Sequence, residues 1–305
     1  LQSSTSQMAN LRDIRRRIKS VKSTSQITKA MELVAAAKMK KAQDQALAGR
    51  GYADKLNKVL VNLKDNTNED SHPLLAQREG GKELMFVIST QRGLCGGLNT
   101  NLLKKVRATA ADGAEYVTVG KKLRQSIAKS GGKIVTDWEV EDPVPFNDAK
   151  PIAKFLTDQF LSGAYDKITV AFNNFVSTLT QTPHVSQLLP IQADSLAEKQ
   201  DYEGVGKGQI GETDVETAIN TPYEFEPSAE GVLDKLLPLY INFQIYQMLV
   251  EARASEHSSR MVAMKAATDN ANKMVKELTL EYNKARQAAI TAELLEITTA
   301  MKAME

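Results

Sequence analysis

Cysteine and histidine are scarce in this chain of 305 residues, and glycine and proline are nearly missing from both of its ends. Cys95 is the single cysteine, which excludes an internal disulfide and a thiolate metal cluster. His72, His184 and His257 lie far apart, without the spacing of metal ligands. No apolar run reaches the roughly 18 residues needed to span a bilayer. The richest stretch, Leu233–Val250, is broken by Asp234, Lys235, Pro238, Asn242, Gln244 and Gln247. All 17 glycines fall between Gly49 and Gly231, residues 1–72 contain no proline, and residues 232–305 contain only Pro238. Glycine costs about 1 kcal/mol in a helix interior and proline about 3 kcal/mol, so such ends can run as very long helices. At about 1.5 Å per residue, seventy residues make a rod of order 100 Å, more than a compact domain requires.

What is present at those ends fits two helices that pair. Leu11, Ile14, Ile18 and Val21 recur at steps of three and four. The pattern resumes at Met31, Ala35, Met39, Ala42 and Ala46 after polar Ser25 and Thr28. Met264, Ala267, Ala271, Met274, Leu278, Tyr282, Ala285, Ala289 and Ala292 repeat it near the C-terminus. A repeat of 3.5 residues winds two helices around each other, and alanine lets the backbones approach closely. Two amphipathic helices of an ordinary bundle would show the same pattern. With helices from about Leu11 to Leu63 and from about Ser228 to the end, the second is longer by roughly twenty residues. It then overhangs from around Arg286. That segment carries Ala288, Ile290, Ala292, Leu294, Leu295, Ile297, Ala300, Met301 and Met304. Apolar groups so widely spread call for a socket in another protein.

The composition, 42% apolar and 25% charged, supplies one globular domain plus extensions. The net charge of +2 is unevenly placed. Arg12, Arg15, Arg16, Arg17, Lys19 and Lys22 make the first helix basic, which suits an acidic partner, protein or nucleic acid, or merely a solvated face. The middle alternates strand and helix. Strands are expected at 84–89, 116–120, 134–138 and 167–176, with an edge strand at 185–191, and helices at 98–110, 121–129 and 149–161. This order implies a Rossmann-like domain with a mainly parallel sheet. The expected organisation is a processed or tag-like stub over 1–9, a helix over 10–63, the α/β domain over 64–227 with a flexible loop at 193–221, and a helix over 228–305.

Gly206–Gly211 matches G-x-G-x-x-G in letters only, because acidic residues 212–216 follow where a phosphate would sit. The turn Arg92–Asn99 lies directly after the first strand, yet lacks the Gly-Lys-Ser/Thr ending of a phosphate loop. Cys95 has no base beside it in sequence. Glu293 and Glu296 are neighbours on a helix face without a histidine or metal ligand nearby. No catalytic constellation emerges.

Three groups of residues resemble the γ subunit of F-type ATP synthases. They are Leu11–Lys22 with Ile27–Glu32 and Val34–Met39, the turn Arg92–Asn99, and the C-terminal runs Met264–Ala271, Tyr282–Ala288 and Ile290–Ile297. Thr299 departs from the glycine usual before Ala300, a change a helix tolerates. No cysteine-bearing insert interrupts the middle domain, so the light-linked thiol switch of the chloroplast branch is not expected.

The resemblance implies a long antiparallel coiled coil acting as a central rotor shaft. It couples proton-driven c-ring rotation to ATP synthesis on a ring of α and β subunits, with no active site and no cofactor of its own. It further implies contacts to the α/β ring at Lys29, Met31, Arg92, Arg286, Gln287, Thr291 and Glu293. Tyr223 and Phe225 would contact the foot, where the ε-type subunit (δ in mitochondria) and the c-ring sit. The setting implied is the matrix side of the mitochondrial inner membrane, or the cytoplasmic side of a bacterial plasma membrane. A basic coiled-coil protein binding nucleic acid, or a nucleotide-dependent enzyme, would use the arginine cluster or the glycine loops. Neither uses the apolar C-terminal tip.

Overall fold

The computed structural model describes residues 2–64, 72–78, 80–191 and 228–304. Its elements are α1 (Gln2–Lys64), β1 (Glu83–Ile88), α2 (Leu98–Thr109), β2 (Glu115–Val119), α3 (Lys121–Lys129), β3 (Ile134–Trp138), α4 (Phe146–Leu161), β4 (Lys167–Phe175), β5 (Gln181–Leu189) and α5 (Ala229–Met304). The loop expected at 193–221, the Gly206–Gly211 run, Tyr223 and Phe225 lie outside the described residues.

The chain forms two compact units, divided within the long helices. One unit is Ala35–Arg260, the other Leu1–Val34 with Met261–Glu305. The reason is packing: Ala46 and Leu56 of α1 and the apolar run Leu233–Val250 of α5 belong to the core of the sheet domain.

In the larger unit the sheet order is β3-β2-β1-β4-β5, parallel except for β5. All six residues of β1 are buried, as a strand covered on both faces requires. Leu84, Phe86 and Ile88 face α4 and the two long helices, whereas Met85 and Val87 face α2 and α3. At about 1.5–3 kcal/mol per large apolar side chain, these two layers hold the domain together. The edge strand begins at Gln181, four residues earlier than the apolar pattern suggests, and runs antiparallel to β4. Ser177 and Thr180 exchange backbone hydrogen bonds in the turn before it, too short a link for a parallel crossover. Helix α4 starts at Phe146, with Pro145 before its first turn, three residues ahead of expectation.

In the smaller unit the helices pair antiparallel. Ser25 Oγ donates to Asn272 Oδ1 at 2.7 Å, and the hydroxyls of Thr28 and Thr268 lie 2.7 Å apart. Ile14, Ser25 and Thr28 are buried, with Leu11, Ile18 and Val21 half-buried between them, as the heptad pattern requires. On α5 the inward series is Met264, Thr268, Ala271, Val275, Leu278 and Tyr282, continuing half-buried through Ala285, Ala289 and Ala292. Met274, expected in the seam, is 44% exposed. The strict alternation of four and three steps selects Val275 instead.

Helix α1 also starts at Gln2, because nothing among the polar residues before Leu11 stops a helix. In the register set by the two polar pairs, Gln2 is level with residues 294–295. The overhang of α5 is therefore confined to about its last ten residues, shorter than one starting at Arg286.

Candidate functional site

Among the described residues no helix is long and apolar enough to cross a membrane, and no group of side chains could hold a metal ion. What the structure offers is surface. In the smaller unit Leu294, Leu295, Ile297, Met301 and Met304 of α5 are 57–89% exposed. Exposed leucine and methionine over three turns form a patch suited to a partner's apolar pocket. Ile27, Leu33 and Val34 of α1 are also about 60% exposed. The seam periodicity passes over them; the displacement of Ile27 by one position from Thr28, and of Val34 and Leu33 by one and two from Ala35, is the signal that could have found them.

Arg286, Gln287, Thr291 and Glu293 are all exposed. Among the described residues Arg286 has no hydrogen-bond or ion-pair partner, and its side chain is exposed with five donors to offer. The Thr291 hydroxyl donates to the Gln287 carbonyl at 2.9 Å, which leaves its oxygen free to accept. Lys29 is exposed and pairs with Glu32 at 2.9 Å, whereas Met31 is half-buried against the coil. The register sets Lys29 and Met31 about twenty residues, or about 30 Å, along the coil from Arg286. The arginines and lysines of residues 12–22 are all exposed, and among the described residues only Asp13 pairs with one of them, Arg16, at 3.1 Å.

In the larger unit Arg92 is exposed, in the turn that follows β1 at the carboxyl edge of the sheet. Beside it Leu94 is 61% exposed with φ +63°, a conformation unusual for a bulky residue. Internal bonds fix this turn: Thr90 Oγ1 donates to the Arg92 carbonyl at 2.7 Å, and Asn99 Nδ2 donates to Thr90 Oγ1 at 2.8 Å. Burial pushes the Cys95 thiol above its ordinary pKa, which keeps it protonated and unreactive. The crevice where such sheets commonly bind ligands is taken by α5. Ser259 Oγ donates to the Cys95 carbonyl at 2.8 Å, and Arg260 reaches the Gly93 carbonyl.

A unit of two paired helices and an α/β unit, with outward apolar and basic faces, define a protein that works by contact with others. The comparisons with known proteins agree. The family model described as ATP synthase matches residues 10–304. An ATP synthase gamma chain from Akkermansia muciniphila is 48% identical over 299 residues, covering 98% of this chain and 100% of that protein. One from Opitutus terrae is 47% identical over 293 residues, covering 96% and 98%. A chain from the mitochondrial ATP synthase of Euglena gracilis, solved with OSCP, F1 and the c-ring, superposes with a TM-score of 0.65 at 20% identity. It covers 97% of this chain and 95% of its own length, and shows the shared fold.

The chain belongs to the ATP synthase gamma chain family. It is a non-catalytic subunit of that complex and forms its central rotor stalk. It associates peripherally with the energy-transducing membrane. The relatives at 40–48% identity are bacterial, so the mitochondrial setting has no specific support.

Proposed function

We propose that this chain is the rotor shaft of a bacterial F-type ATP synthase, working at the cytoplasmic face of the plasma membrane. The smaller unit turns inside a ring of α and β subunits, which hold the ATP chemistry. The larger unit meets the ε-type subunit and the c-ring, with Tyr223 and Phe225 at that foot. A shaft that presents one side at a time to three equivalent subunits favours a different conformation in each, and rotation moves every site through the series. The observation that carries this reading is the bare apolar end of α5, Leu294 to Met304, in a member of the gamma chain family. A solvated helix has no use for it.

Lys29, Met31, Arg92, Arg286, Gln287, Thr291 and Glu293 are the ring contacts in this reading. Arg286 takes a carboxylate of a ring subunit, and Gln287 and Thr291, four apart, share a helix face with each other beside it. The exposed arginines of α1 meet an acidic protein surface, not nucleic acid. The test is the double variant Arg286→Ala with Gln287→Ala in the assembled enzyme. Both side chains are exposed, so folding and subunit composition stay intact while turnover slows. Unchanged rates of ATP hydrolysis and synthesis would refute the docking role.

A further inference from the structure

The network on α5 between residues 253 and 260 has no part in the surfaces above. Every residue in this run except buried Ala254 makes a side-chain bond. Ser255 Oγ donates to the Asn173 carbonyl at 2.9 Å, Ser258 Oγ to the Thr178 carbonyl at 2.7 Å, and Ser259 Oγ to the Cys95 carbonyl at 2.8 Å. Arg253 donates to the Val140 carbonyl at 2.8 Å. Glu256 is held between Arg253 at 2.8 Å and Arg260 at 2.7 Å, all three nearly buried. One atom, Asp142 Oδ2, accepts from Lys38 Nζ of α1 at 2.7 Å and from His257 Nε2 of α5 at 3.1 Å. Arg260 faces His257 Nδ1 at 3.4 Å. With a proton on Nε2 the ring donates to Asp142 and leaves Nδ1 to face Arg260.

The geometry of this grip is two-sided. At 100° per residue, 255, 258 and 259 share one face of α5, and 253 and 257 lie on the opposite face. In the first group Ser255 bonds β4 itself and Ser258 and Ser259 bond the turns after β4 and β1, whereas the second group bonds the loop after β3. Apolar packing is non-directional and lets a helix roll in its groove. Directional bonds on opposite sides of the axis resist both rolling and sliding.

We propose that Asp142 is a positioning residue that locks the parts of α1 and α5 within the larger unit to the carboxyl edge of its sheet, so that they stay fixed to it under load. Lys38 and His257 are its two anchors. The proposal rests on the rotor reading and goes beyond it. The experiment uses the whole ATP synthase in inverted membrane vesicles. Proton pumping per ATP hydrolysed is measured for Asp142→Asn, Lys38→Met and Lys38→Arg. Asp142→Asn and Lys38→Met should lower this ratio at least two-fold, with hydrolysis unchanged and the deficit growing as the gradient builds. Lys38→Arg, which keeps the charge and the donors, should pump like the wild type. Lys38 is half-exposed, so its variants decide the matter even if Asp142→Asn fails to assemble. A wild-type ratio in Lys38→Met, or an equal loss in Lys38→Arg, overturns the lock. A wild-type complex that hydrolyses ATP without pumping speaks against the rotor reading itself.

Discussion

The polar layer in the coil, Thr28 against Thr268, gives a prediction whose size follows from the hydrogen-bond geometry. Thr268 Oγ1 lies 2.8 Å from the Met264 carbonyl and Thr28 Oγ1 lies 3.1 Å from the Ser25 carbonyl. The two hydroxyls also touch each other at 2.7 Å, so together they hold two protons for three contacts. Thr28→Val deletes the mutual bond but leaves Thr268 satisfied by its own helix. The expected loss is about 1 kcal/mol, the net worth of one neutral hydrogen bond. Thr268→Val should cost a similar amount. The double variant removes both polar groups and buries two methyls in their place, each contributing up to about 0.8 kcal/mol. Its stability should therefore match or exceed the wild type, with coupling of about 2 kcal/mol or more between the sites. The assay is amide hydrogen exchange of residues 262–278 in the intact chain. Each single variant should exchange about five-fold faster, since 1.4 kcal/mol is ten-fold, and the double variant no faster than wild type. If the double variant exchanges as fast as the product of the singles, the hydroxyls do not act as a pair.

Other predictions test the sheet domain. Gly120 has φ +91°, and a Cβ there would sit 2.3 Å from the Ser89 carbonyl oxygen. Gly131 has φ +80° with open space around it. Gly120→Ala should cost at least about 2 kcal/mol more than Gly131→Ala in urea unfolding, and equal losses would show that the backbone clash is relieved. His72 is buried, accepts from the Leu74 amide at Nδ1, and is held below its ordinary pKa by that burial, against the pull of Asp234. The unfolded chain then takes up this proton first. The stability His72 contributes is full above about pH 6.5 and is lost as pH falls through its lower folded value. Thermal midpoints between pH 7.5 and 5.5 should fall less steeply in His72→Gln, and parallel curves would reject the assignment. The purified chain should show no saturable micromolar binding of ATP by calorimetry; a measured isotherm would contradict the assignment of ATP chemistry to other subunits.

Much of this architecture was legible in the order of the residues. The scarcity of glycine and proline toward the ends, with apolar steps of three and four, determined two long helices and most of their seam. Helix periodicity is local and needs no partner to be read. The alternation of apolar runs with helical segments determined a mainly parallel sheet, and the C-terminal apolar residues foretold an exposed tip. The sequence also pointed to Arg92–Asn99 as a shaped turn, since its glycines permit what other residues resist.

Tertiary structure alone decided the rest. Which α1 residue meets which α5 residue depends on Ser25 finding Asn272 and Thr28 finding Thr268, contacts separated by about 240 residues. That register placed Val275 rather than Met274 inward and shortened the overhang. The direction of β5 followed from a tight turn, because its polar first residues carry no strand pattern. The grip on residues 253–260 was invisible for a different reason. Serines, arginines and a glutamate on a helix read as solvated surface until carbonyls at the ends of three strands converge on them. Bonds to backbone carbonyls leave no trace in the identity of the residues that accept them.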